Sequence, residues 1–431
     1  MSRVPGRSGI RARSADELPR LPGELALHRL DNGLTVGLLA NRQAPVVTTA
    51  LCYRAGTRDE EPGHGGAAHF LEHMMFKGSR AYGPGEIDRR TQALGGSNNA
   101  FTSHDATVYY FNFAADRWAE ALAIEADRMA HLALDPADTA SERQVILEEV
   151  AMYDDDPWDS LEMSAIARLF PDHAYGRPVL GSRDDLLGTT EVDLRRFHGG
   201  FYRPDNAVLI VAGDLKDGAL DRVREGLAHL EPGTAARPAH APATFPAGLE
   251  RFERAKGEVP RVLLLLPAPP AEHPDHAVVQ LLTLLLAGGR ASWLHRRLVD
   301  ELELCSWISA DLSDNLDAGH LGISAELIPG VEPARAEAAL FAAIAERLSE
   351  PPAEDDLVRA RQIAVADWVF DHEKVHQQAV SAAVATALFV PDLHSRRLAA
   401  MIAATPERVL EAADRYLRPD RGAVLGWSVA G

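Results

Sequence analysis

At 431 residues the chain is longer than one ordinary hydrophobic core supports, so two comparable domains are expected. Hydrophobic residues at 46% and charged residues at 25% exclude a disordered or fibrous chain. The formal charge of -19, from 44 Lys and Arg against 63 Asp and Glu, argues against phosphate backbones as partners and leaves cationic ligands such as basic peptides open.

Residues 1–22 place Arg3, Arg7, Arg11 and Arg13 among Ser, Gly and Pro without apolar periodicity, and read as a flexible leader. No apolar core of signal-peptide length follows, so secretion by that route is not expected. Asp31-Asn32-Gly33 is a turn signal, and residues 34–39 and 46–53 read as strands of an antiparallel meander. A flexible turn at 63–66 leads into a helix of period 3.6 over residues 67–77. A second helix is predicted over 85–94, ended by Gly95-Gly96. Residues 107–113 then form a strand in which Tyr109 and Tyr110 are packing residues.

Helices are predicted over 115–132 and 136–153, the latter capped by Thr139 or Ser141, with Asp154 to Asp156 a solvated helix end. Residues 208–212 return to strand. Residues 231–246 hold Pro232, Pro238, Pro242 and Pro246 among small residues, a linker composition. The expected division is an N-terminal domain over 23–235, a linker over 236–248 and a C-terminal domain over 249–431. The second half repeats the coarse order with a strand at 261–266, a helix at 274–286, Gly288-Gly289, another helix and a strand near Ile308, as in a duplicated α+β unit. The apolar runs at 262–270 and 278–287 fall short of the roughly 20 residues of a membrane helix. Only Cys52 and Cys305 are present, with no CxxC pair, so a disulfide framework or thiolate metal site is not expected and a cytoplasmic location is.

The chemistry is concentrated in His69-Phe70-Leu71-Glu72-His73. Two imidazoles four residues apart on a helix share one face and reach one ion. A catalytic zinc keeps three protein ligands and one open position, so a third ligand is required. Glu149, in Val145-Ile146-Leu147-Glu148-Glu149-Val150, is the best candidate, on a helix whose apolar residues can pack against the motif helix. Glu142 lies two turns earlier on the same face, placed to support a ligand by hydrogen bonding. Glu72 points near the open side of the metal and can take a proton from water. The second half has no such cluster, so one metal per chain is expected.

The segments HFLEHMMFKGS, GGSNNAFTSHDATVYY, ERQVILEEVAMYDDDPWD, YGRPVLGS and FYRPDNAVLIVAGDL, in this order, resemble the pitrilysin/insulinase-type zinc metallopeptidases of inverted HxxEH motif, in their mitochondrial-processing-peptidase-like branch. The resemblance runs from about residue 25 over nearly the whole chain. It implies two homologous α+β domains, each an antiparallel sheet flanked by helices, of the processing-peptidase/LuxS-like type. It implies His69, His73 and Glu149 as zinc ligands, Glu72 as base and Glu142 as the supporting carboxylate. It also implies that Asn99, Ala100 and Thr102 bind an extended substrate by backbone pairing on an edge strand, with Asn99 fixing the scissile region.

One departure stands out. Self-sufficient members carry an Arg and a Tyr in the second half that grip the substrate, whereas Val299 and Ser306 occupy those places here, with Arg296, Arg297 and Trp307 nearby as substitutes. Losing such donors costs about two to three orders of magnitude in rate. The expectation is therefore a bacterial-type heterodimer in which a paralogous subunit without the zinc motif supplies the Arg/Tyr pair. Two rival readings are a non-catalytic structural or assembly subunit of the same fold and a zinc hydrolase of another substrate class.

Overall fold

The computed structural model describes residues 18–20, 23–233 and 240–429. The expected leader lies outside the described residues except for 18–20, as do residues 236–239 of the expected linker. The first sheet is built from β1 (Leu25–Arg29), β2 (Thr35–Ala40), β3 (Val46–Tyr53), β4 (Ser97–Thr102), β5 (Thr107–Ala114) and β6 (Ala207–Gly213). The second is built from β7 (Leu249–Ala255), β8 (Arg261–Ala268), β9 (Cys305–Leu312), β10 (Gly319–Leu327) and β11 (Ala423–Val429). Their strand orders are β1-β2-β6-β3-β5-β4 and β7-β11-β8-β10-β9. Setting β2, β6, β3, β5 and β4 against β7, β11, β8, β10 and β9 superposes the two orders, so the second sheet repeats the first without β1.

The sheets are antiparallel except at one pair in each. β2 runs parallel to β6 and β7 parallel to β11. The last strand of each half returns after a long helical connection and inserts between two earlier strands of its half, β6 between β2 and β3 and β11 between β7 and β8, which forces one parallel neighbour. β6, with every residue of Ala-Val-Leu-Ile-Val-Ala-Gly buried, is the interior strand that its unbroken apolar run requires.

The first half carries α1 (Ala67–Met74), α2 (Glu86–Ala93), α3 (Ala119–His131), α4 (Pro136–Asp155), α5 (Pro157–Leu169), α6 (Arg183–Gly188), α7 (Glu191–Phe201) and α8 (Ala219–Leu227). The second carries α9 (His276–Ala287), a π-helical turn (His295–Glu301), α10 (Pro333–Arg347), α11 (Glu354–Asp371), α12 (Val375–Leu388), α13 (Leu393–Ala403) and α14 (Pro406–Tyr416). The expected helix over 115–132 begins only at Ala119, because residues 115–118 form turns between it and β5. Neither Thr139 nor Ser141 caps α4. Asp135 does so, accepting the Ala137 N–H at 2.8 Å, while Pro136 fills the first helical position, where its missing N–H costs nothing. Asp154 to Asp156 are exposed, and Asp156 caps α5 through the Trp158 and Asp159 amides.

Each half covers the other's sheet. α12 lays Val375, Ala379, Ala382, Ala383 and Ala387 on the outer face of the first sheet, against Leu39, Ala50, Cys52, Val208 and Ile210. α5 lays Leu161, Ala165 and Leu169 on the second sheet, against Leu263, Leu265 and Val424. Alanine at the seat of α12 lets the helix approach closely. Cys52 and Cys305 lie in different sheets, and no helix among the described residues is long and apolar enough to cross a membrane.

Ala383 is 0% exposed at the α12 seat, so Ala383→Leu overpacks it. The expected cost is about 1–3 kcal/mol, read as a lower denaturation midpoint in urea. An unchanged midpoint would remove the close seat of α12 from the packing account.

Candidate metal centre

α1 is eight residues long, too short to persist alone in water, so its neighbours must hold it. Its N-cap, Gly66, has no side chain to offer, and Glu60 takes that place. One Glu60 oxygen accepts the Gly66 N–H at 3.0 Å and the other the Ala68 N–H at 2.9 Å. Gly66 is required there: at φ +86° its absent Cβ would lie 2.4 Å from the Leu180 carbonyl oxygen. Along its length α1 buries Phe70, Leu71 and Met74 in the same core as Ile146 and Leu147 of α4. Arg143 ties α4 to the end of α6 by donating to the Leu186 and Thr189 carbonyls at 3.1 and 2.8 Å.

This packing brings the motif to Glu149. The His69 and His73 rings lie 4.6 Å apart between centroids, on one face of α1. His73 Nδ1 is 2.8 Å from Glu142 Oε1, whose other oxygen is 2.5 Å from Lys77 Nζ. With Nδ1 engaged, Nε2 is the His73 nitrogen left to a metal. The Nε2 atoms of His69 and His73 lie 3.8 and 3.6 Å from Glu149 Oε2. These separations are too long for hydrogen bonds. They are close to the roughly 3.4 Å that separates two ligands each about 2.1 Å from a tetrahedral zinc ion. Donor atoms of His69, His73 and Glu149 all lie within 4.8 Å of one another, and no other such trio occurs among the described residues. Two imidazoles and one carboxylate with room for water fit a catalytic zinc ion.

The local fields act on each group differently. Burial, with the neighbouring His73, holds His69 down to about 3. Burial also opposes charge on His73, but the Glu142 hydrogen bond and the Glu142, Glu72 and Glu149 carboxylates outweigh it and raise its pKa. Burial would raise Glu142, yet its bonds to His73 and Lys77 pull it below the usual carboxylate range. Burial raises Glu72, with Glu149 adding to the shift and the Thr102 hydrogen bond and His73 opposing it. That bond, Thr102 Oγ1 to Glu72 Oε2, measures 2.5 Å.

The trio opens into a cleft of about 710 Å³. Ala100, Phe101 and Thr102 line it from β4, the edge strand of its sheet, so an unpaired backbone row borders the cleft. Asn99 is exposed and does not line it, and its Oδ1 accepts the N–H of its own neighbour Ala100. Tyr109 is buried, while the Tyr110 ring meets His376 of α12 at 4.4 Å. The cleft also takes His104, Arg177, Asp159 and Glu162 from the first half and Asn315 and His320 from the second. Sequence reading did not single these out as site residues, nor Lys77. Lys77 and Arg177 fall inside HFLEHMMFKGS and YGRPVLGS, but Asn315 and His320 carry no local signal.

The suggested substitutes for the Arg/Tyr pair are committed elsewhere. Arg296 pairs with Asp356 at 3.4 Å and Arg297 with Glu301 at 2.9 Å. Trp307 packs on Trp158 at 5.2 Å between ring centroids. Val299 packs on the second core, and Ser306 Oγ donates to the Glu326 carbonyl at 3.2 Å. None of the five lines the cleft.

Residues 35–183 match the family described as insulinase (peptidase family M16), and residues 190–364 the peptidase M16 inactive domain. An uncharacterised zinc protease of Mycobacterium leprae is 32% identical over 279 residues, which cover 64% of this chain and 63% of the relative. The zinc protease PqqE of Helicobacter pylori is 30% identical over 284 residues, 64% of each chain. In both, the match spans a little under two thirds of the relative. A solved protease structure from Helicobacter pylori superposes with a TM-score of 0.89 at 23% identity, covering 95% of this chain and 100% of that one, a likeness of fold.

Because Glu142 orients His73 and holds its Nδ1, Glu142→Ala is expected to weaken zinc binding about 10- to 100-fold. Chelator competition reads this directly. Binding requires neutral His73, whose pKa is raised by Glu142, Glu72 and Glu149, so zinc affinity is expected to fall on acidification and to begin falling at a higher pH than an ordinary histidine ligand would dictate. An unaltered affinity in Glu142→Ala would show that Glu142 does not support the site.

Proposed function

The chain belongs to the insulinase family, peptidase family M16, and on that footing we propose that it is a zinc-dependent endopeptidase acting on extended or unfolded peptides. One observation carries the reading: His69, His73 and Glu149 converge beside Glu72 in a cleft bordered by the edge strand β4. A zinc ion bound by the three would lower the pKa of water toward neutrality and polarise a carbonyl. Glu72, its pKa raised by burial, is suited to receive the proton of the attacking water and return it to the leaving nitrogen. Thr102 steadies that carboxylate by its hydrogen bond. β4 offers its backbone to a peptide in extended conformation, which favours unfolded segments over folded surfaces. Asp159 and Glu162, on the α5 wall, favour cationic side chains.

The proposal includes a partner. Val299, Ser306, Arg296, Arg297 and Trp307 all lie away from the cleft lining, which supports a paralogous subunit without the zinc motif that supplies the Arg/Tyr pair. A homodimer is the other assembly this would allow.

Glu72→Gln is expected to retain one zinc per chain and to lose peptide turnover by at least about 100-fold. Retained turnover would remove Glu72 as the base. Wild-type protein that binds no zinc would favour a structural subunit of the same fold. Full peptidase activity from this chain as a monomer, checked by light scattering, would sink the partner. Activity that rises when the paralogue is added would support it.

A further inference from the structure

The second half enters the cleft through Asn315 and His320, which belong to the hairpin joining β9 to β10. Ser313 and His320 close that hairpin, with Ser313 N–H donating to His320 O at 3.0 Å and His320 N–H to Ser313 Oγ at 2.8 Å.

Charged groups clamp the turn from both sides. Within its own half, Arg397 Nη1 donates to both Asp314 oxygens at 2.8 Å, and His276 Nε2 lies 3.1 Å from Asp314 Oδ1. From the first half, buried Asp105 accepts the Leu316 N–H at 3.1 Å and the Tyr175 hydroxyl at 2.9 Å. The Tyr175 oxygen in turn accepts the Asp317 N–H at 3.1 Å, and Arg58 Nη2 lies 2.7 Å from Asp317 Oδ2. A turn fixed in this way loses little further freedom when a ligand arrives.

His320 is suited to act as a donor there. Its Nδ1 is sealed from solvent and has no hydrogen-bond partner among the described residues. A proton on that nitrogen would bury an unsatisfied N–H, so the proton belongs on Nε2. Burial, with His104 nearby, holds the ring down to about 4, which leaves it neutral at physiological pH. An N–H without charge pairs well with a peptide carbonyl.

We propose that His320, with Asn315 on the same clamped turn, is the second half's own contact with the peptide, donating a hydrogen bond to a backbone carbonyl of the chain laid along β4. This rests on the peptidase reading and adds a binding residue to it.

The test uses the full chain carrying Glu72→Gln, loaded with zinc. The probe is a fluorescein-labelled, arginine-containing peptide of about ten residues, long enough to pair along β4, read by anisotropy. Adding His320→Ala is expected to weaken binding roughly fivefold to tenfold, the worth of one hydrogen bond. Zinc stoichiometry should stay the same. His320→Gln, which keeps an N–H donor, should recover most of the affinity, whereas a merely structural role would not be rescued in this way. Equal affinity in wild-type and His320→Ala backgrounds overturns the proposal. A Glu72→Gln chain that holds zinc but binds no peptide, both alone and with the paralogue added, overturns the peptidase reading, and the proposal with it.

Discussion

Glu60 and Glu142 hold α1 from its two ends, and the geometry of the site depends on that grip. Glu60 satisfies two amides that a glycine cap leaves open, and Glu142 fixes the His73 ring through Nδ1. A helix of eight residues cannot supply this rigidity itself. Its two histidines become a defined pair of donors only because carboxylates from other segments set its position and the rotation of one ring. The arrangement places three carboxylates, Glu72, Glu142 and Glu149, around the two histidines. Such a concentration of acid suits a site built around a cation.

The larger architecture serves the same end by crossing the two halves over each other. α5 leaves the first half directly after the Glu149 helix and seats on the second sheet, and α12 makes the reciprocal crossing onto the first. One wall of the cleft is therefore α5, whose other face is fixed to the second half. The β9–β10 hairpin reaches the same cleft from the other side and is tied to it by Asp105, Tyr175 and Arg58. The cleft is a joint product of both halves even though the proposed metal ligands come from one.

Much of this was legible in the chain. The spacing of His69, Glu72 and His73 on a helix, and of Glu142 and Glu149 on another, follows from the 3.6-residue period, because partners four or seven residues apart share a face whatever the surroundings. The β6 run and the strands β2 and β3 were legible for a similar reason, since hydrophobic pattern and turn residues act locally, but the expected meander was not formed, because β6 inserts between β2 and β3. Helix ends were less so. Asp135 won the cap of α4 over Thr139 and Ser141 because Pro136 sets the first turn, and residues 115–118 form turns where a helix was expected.

What the sequence by itself determined, then, is the set of groups that chemistry can use and the periodic elements that carry them. The tertiary structure alone decided which distant groups meet: Lys77 and His73 on Glu142, Thr102 on Glu72, and Asn315 and His320 in the cleft of the metal trio. It also decided that Asn99 does not line the cleft and that Arg296 and Arg297 are spent on Asp356 and Glu301. The reason is physical. Periodicity is a property of neighbours along the chain, whereas a contact such as Asp105 to Leu316, 211 residues apart, exists only once two sheets and two exchanged helices have packed.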